Sequence, residues 1–187
     1  DSLLRDDRLT RSVGALIATG NCEGAAALVP AVESLRETPL RNAVLAYLAI
    51  VRGRATEAQV RLGRAWDIVN VERDPDTAAL IAQRYVLHSL TRCRSEELVE
   101  WADRAIALAG DDSPAGVEAA AIRGLGLSGC GRFAEATAAY DDLTNRVRHG
   151  APPAARANLV EEPQRDGARE CRRGLCDPAQ ELDDPAR

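Results

Sequence analysis

A short motif returns along this chain at nearly even intervals, and that return limits the fold more than any other feature. Gly53-Arg54-Ala55-Thr56-Glu57-Ala58 and Gly131-Arg132-Phe133-Ala134-Glu135-Ala136 share the pattern G-R-x-x-E-A. Weaker copies stand at Gly20-Asn21-Cys22-Glu23-Gly24-Ala25 and Cys93-Arg94-Ser95-Glu96-Glu97-Leu98. The copies begin at 20, 53, 93 and 131, so the steps are 33, 40 and 38 residues. A period in the thirties is what one helical hairpin and its connections occupy.

Helix starts keep the same beat. Thr38-Pro39, Asp74-Pro75 and Ser113-Pro114 each place a capping side chain before a proline. The side-chain oxygen can accept an orphan backbone N–H, and proline at the first helical position gives up a donor that would be unpaired anyway. Each unit therefore reads as helix, short turn, helix. The spacing predicts eight helices in four antiparallel pairs: 3–19 and 22–36, 39–52 and 55–72, 76–92 and 95–109, 114–129 and 132–147. Val99, Ala102, Ala105, Ile106 and Ala109 form one apolar stripe at steps of three and four, and Ala136, Ala139, Tyr140 and Leu143 form another. No stretch alternates with period two. Pro30 falls inside the second helix of the first unit and should kink it.

Composition suits such a stack. Ala supplies 34 of the 187 residues, aromatics are 3% and Met is absent, so the core favours closely approaching helices over a sheet. A chain with no Met is expected to be a piece of a longer protein. The net charge of −5 disfavours a general nucleic-acid or membrane-surface binder, which needs a basic face. The longest apolar run, Ala43 to Val51, is far shorter than the roughly 20 residues of a membrane span. Five scattered Cys read as reduced thiols of a cytoplasmic protein. Residues 151–187 hold five of the nine Pro and few large aliphatics, so they are expected to be a largely disordered tail to a helical domain over 1–150.

Tempting motifs resolve into structural roles. Gly124-Leu125-Gly126-Leu127-Ser128-Gly129 is a literal G-x-G-x-x-G, but it lies at the end of a helix with no strand before it. A dinucleotide fingerprint needs a strand in front and a helix opening behind, so these glycines are read as helix contact and turn, and no cofactor is expected. Cys171 and Cys176 lack a second ligand pair, so no metal is expected. Cys22, Cys93 and Cys130 sit at interhelix turns as small packing residues. His88 is read as a helix-face histidine with a local partner, or as a groove contact. The acidic pairs Glu96-Glu97, Asp111-Asp112, Asp141-Asp142 and Asp183-Asp184 diverge by about 100° on a helix and do not converge on a substrate. Trp66 and Trp101 are expected to plug the junctions between units. No catalytic residue is expected, and the chain reads as a non-enzyme.

The segment Val117 to Arg146 resembles a tetratricopeptide repeat. Gly124 falls where that family places a small residue at the closest helix contact, Gly131 in the turn, and Phe133, Ala136 and Tyr140 along the second helix. Asn42 to Trp66 matches at Leu45, Ala46, Gly53, Ala58 and Ala65, and the third unit puts Cys93 where the turn glycine would be. The resemblance covers about residues 3–147 and implies an all-α, right-handed superhelical stack of about four antiparallel pairs. By register with the family, Tyr47, Ile50, Gln83, Leu87 and Leu125 would line a partner-binding groove. The irregular Ala- and Arg-rich units are similar to the helical-repeat segment of large actinobacterial LuxR-type transcriptional regulators. That implies a protein-interaction or effector-sensing segment, taking a protein or peptide partner or a small effector and binding neither nucleic acid nor membrane directly. A stand-alone tetratricopeptide-type scaffold unrelated to transcription is the alternative.

Overall fold

The four turn positions share one backbone conformation. In the computed structural model, which describes residues 2–111 and 113–150, Gly20, Gly53, Cys93 and Gly131 all have positive φ, at 77°, 71°, 53° and 75°. At each turn the following residue donates its backbone N–H to a carbonyl five residues earlier: Asn21 to Leu16, Arg54 to Ala49, Arg94 to Ser89 and Arg132 to Leu127, over 2.8–3.0 Å. This six-to-one bond ends a helix on a left-handed residue and reverses the chain. The repeat read from the sequence is thus a repeat of geometry, including the unit in which cysteine replaces glycine.

The rest of the motif is explained by the same turns. Its Arg and Glu, at i and i+3, pair as Arg54–Glu57, Arg94–Glu97 and Arg132–Glu135. The Glu also lies in the first turn of the second helix, where negative charge suits the helix dipole. In the first unit Asn21 holds the Arg position and accepts instead from Gly24 N–H. The closing apolar position is buried in every copy, as Ala25, Ala58, Leu98 and Ala136.

The described residues form helices joined by turns, with no strand among them. In order they are α1 (Ser2–Ala18), α2 (Cys22–Ala27), α3 (Val29–Glu33), α4 (Pro39–Val51), α5 (Ala55–Ile68), α6 (Pro75–Thr91), α7 (Ser95–Ala109), α8 (Pro114–Gly129) and α9 (Phe133–Gly150). Thr38, Asp74 and Ser113 cap α4, α6 and α8 by accepting from the N–H of Arg41, Thr77 and Gly116, each with proline directly after the cap.

Two expected helices are corrected. The predicted 22–36 helix is two short ones broken at Leu28, because Pro30 enters the first turn of α3 and cannot continue the ladder of α2. The predicted 55–72 helix stops at Ile68. Val69 is extended, and the Asn70 side chain accepts from Arg73 N–H, closing a local turn that competes with further helix. The expected tail, 151–187, lies outside the described residues.

Packing runs within and between units. Val13 and Ile17 of α1 meet Val44, Leu45 and Leu48 of α4 over Ala25 and Val32. Ala43 and Ala46 of α4 join Leu62 and Ala65 of α5 and Ile81 and Tyr85 of α6. Val99 of α7 packs with Leu127 of α8 and Ala136 of α9. Trp101 of α7 stacks on Tyr85 at 3.8 Å between ring centres, and Trp66 of α5 meets Trp101 edge-on at 5.0 Å. Both tryptophans therefore fill a junction between units, as expected. Gly124 of α8 lies under the ring of Tyr140 of α9, where a Cβ would overlap the ring, so the expected close helix contact is present.

Candidate functional site

The face formed by α4, α6 and α8 carries the candidate groove. Tyr47, Leu87 and Leu125 each stand six residues before their turn, so the repeat places them at one position of successive units. Tyr47 and Leu87 are half-buried, and Leu125 is 52% exposed. Ile50 is 8% exposed and lies with Ala49 and Ala58, with Leu87 packed against this cluster. It forms the floor rather than the surface. Leu90, at the repeat position of Ile50, is exposed where Ile50 is covered.

Polar groups border the apolar row. The Gln83 side-chain amide donates to the Glu118 carboxylate, tying α6 to α8. The Arg84 guanidinium lies 4.3 Å over the Tyr47 ring, and burial lowers its pKa from the ordinary value while Tyr47 and Glu118 act in the opposite sense. Its charge is met chiefly by an aromatic face. Sequence register had pointed to Tyr47, Ile50, Gln83, Leu87 and Leu125. It did not point to Arg84, Glu118 or Leu90. Leu90 was reachable by the same register, one turn beyond Leu87. Arg84 was not, because its counterpart in the preceding unit is the buried aliphatic Val44.

His88 departs from both sequence readings. It is 1% exposed, and neither ring nitrogen has a hydrogen-bond partner; nor has the hydroxyl of adjacent Ser89. Burial lowers the His88 pKa, nearby Arg92 and Arg94 lower it further, and Glu97 opposes them. At neutral pH the ring is uncharged.

A cavity of about 480 Å³ lies at the N-terminal ends of α4 and α6, beside α1. Its acidic groups are mostly engaged: Asp7 pairs with Arg11 at 2.7 Å, Glu37 accepts from Asn42, and Asp74 caps α6. A smaller depression brings Cys93 and Cys130 beside Glu96 and Glu97 at the start of α7. No group of three or more His, Cys, Asp or Glu among the described residues could hold a metal ion. No helix among them is long and apolar enough to cross a membrane. Comparison with known protein families, curated proteins and solved structures finds no match for this chain.

Proposed function

We propose that this chain is a non-enzymatic interaction segment, a tetratricopeptide-like α-solenoid whose α4/α6/α8 face receives a peptide or a partner helix. The observation that carries the reading is the apolar row Tyr47, Leu87 and Leu125, placed at one repeat position, half-buried on α4 and α6 and exposed on α8. A regularly spaced row on parallel helices suits an extended or helical ligand with apolar side chains at regular intervals. Gln83, Arg84 and Glu118 beside it supply polar groups to orient the ligand backbone. We propose further that the segment belongs to a larger LuxR-type transcriptional regulator, where it reads a protein partner or small effector in the cytoplasm. This part rests on the resemblance of the repeats.

The groove is tested by selecting peptides from a displayed random library on the full chain, then titrating them by calorimetry. The selected peptides should share spaced apolar anchors. Leu125→Asp should weaken binding at least tenfold with no change in melting temperature, since Leu125 is exposed. Binding indifferent to Leu125→Asp and Tyr47→Ala would overturn the groove. The wider placement is tested in the flanking genomic sequence. A nucleotide-binding module upstream and a helix-turn-helix downstream would support a regulator, whereas an isolated reading frame would leave the stand-alone scaffold.

A further inference from the structure

At two neighbouring turns the repeat replaces its usual residue with a cysteine. The left-handed turn residue is glycine in three units, as Gly20, Gly53 and Gly131, and is Cys93 in the third. One residue before the turn, the second and third units carry Arg52 and Arg92, and the fourth carries Cys130. Cys93 keeps a backbone conformation that strains a residue with a Cβ, and such outliers collect at functional sites.

The fold brings the two replacements together. The start of α7 meets the end of α8, where a Cβ on Gly129 would overlap the Ser95 hydroxyl and stand 3.0 Å from the Ser95 Cβ. Cys130 follows Gly129 and Cys93 stands two residues before Ser95, so the cysteines flank one close backbone contact. Consecutive Cα atoms are about 3.8 Å apart, which keeps both cysteines near that contact. Both line one open depression, whose wall is completed by Arg94, Ser95, Glu96, Glu97 and Gly129. Cys93 is exposed, whereas Cys130 is half-buried against Val99, Leu127 and Ala136. Both are free thiols. Cys22 sits at the first turn, with the second turn between it and Cys93.

We infer that Cys93 and Cys130 are a modification site, an oxidant-sensitive pair whose disulfide staples the third unit to the fourth. The oxidant is a hydroperoxide, hydrogen peroxide in the simplest case. The exposed Cys93 thiolate attacks one peroxide oxygen and the O–O bond breaks, giving a Cys93 sulfenic acid and one water. The Cys130 thiolate then attacks that sulfur, the S–O bond breaks and a second water leaves. The two thiols give up two electrons and two protons, and the peroxide is reduced to two waters. A disulfide holds its Cα atoms about 4.4–6.8 Å apart, so its formation fixes one turn against the other across the depression. It uses no residue of the groove, so it stands apart from the reading above.

Peroxide treatment of the reduced full chain, followed by blocking of free thiols and tryptic mapping, tests this. The chain should lose two hydrogens, about 2 Da, and Cys93-Arg94 should be recovered joined to residues 124–132. A thiol reductant should reverse the change. Cys130→Ser should stop the reaction at a Cys93 sulfenic acid that dimedone traps, and Cys93→Ser should abolish the link. Recovery of Cys93 and Cys130 as separately blocked thiols after peroxide overturns the inference. So does a link confined to another pair, such as Cys171 with Cys176, or a Cys93–Cys130 link found only between two chains on a non-reducing gel.

Discussion

Cys93 carries a left-handed backbone conformation, φ 53°, that the other three turns assign to glycine. For a residue with a Cβ that conformation costs on the order of 1–2 kcal/mol, while glycine there would add entropy to the unfolded chain. Cys93→Gly is therefore expected to stabilise the protein by about 1 kcal/mol, seen as a raised thermal midpoint. A lowered midpoint would mean that the thiol makes compensating contacts. His88 offers a second test. Its repeat counterpart in α4 is the buried leucine Leu48, so the fold accommodates an aliphatic side chain at this position. Because burial and Arg92 lower its folded pKa below the unfolded 6.5, the unfolded chain binds its proton first as pH falls. The stability that neutral His88 permits is thus present above about pH 6.5 and declines below it, by at most about 1.4 kcal/mol per pH unit. His88→Leu should stabilise the protein and flatten denaturant midpoints between pH 7 and 5. An equally steep decline in the variant would assign the acid sensitivity to other groups.

At the scale of elements, local chemistry sets most boundaries. Thr38, Asp74 and Ser113 start helices where their capping oxygens and prolines predict, and the turn residues end them. Where local signals compete, periodicity alone misleads. Apolar spacing continues past Ile68, yet the Asn70 side chain claims Arg73 N–H and the helix ends. The α8–α9 pair is the sharpest case of packing dictated by one residue, since the Tyr140 ring occupies the space a side chain at position 124 would need. Gly124→Leu should force the pair apart and cost roughly 1–3 kcal/mol through overpacking. An unchanged melting temperature would contradict this contact. The ion pairs of the repeat motif are a weaker influence. They are largely exposed, and such pairs contribute about 0–1 kcal/mol each. Their value lies in placing a carboxylate at a helix start that has no side-chain cap, as in α5 and α7.

Over the whole molecule, stability should be graded along the chain, because each unit is held mainly by its neighbours. The first unit is the weakest: α2 and α3 have six and five residues, and one stripe of α1 is open to solvent. The centre, with Trp66, Tyr85 and Trp101 interlocked across α5, α6 and α7, is the strongest. Native-state hydrogen exchange should show α2 and α3 opening well before α6. Equal protection would mean that the described helices unfold as one cooperative block.

The sequence by itself determined most of the helices and the beat of their turns. Those depend on contacts within a few residues: a capping oxygen and its amide, a left-handed turn, an apolar stripe. Its register also puts Tyr47, Leu87 and Leu125 at one position of successive units. What only the tertiary structure decided is how much of each side chain the neighbouring unit covers. Ile50 and Leu90 share one repeat position, yet one is floor and the other surface. The Arg84 guanidinium lies over the Tyr47 ring, and His88 is buried with no hydrogen-bond partner for its ring nitrogens. Exposure and pairing of this kind arise from helices some 40 residues apart in the chain, and no local pattern encodes the order in which they close over one another.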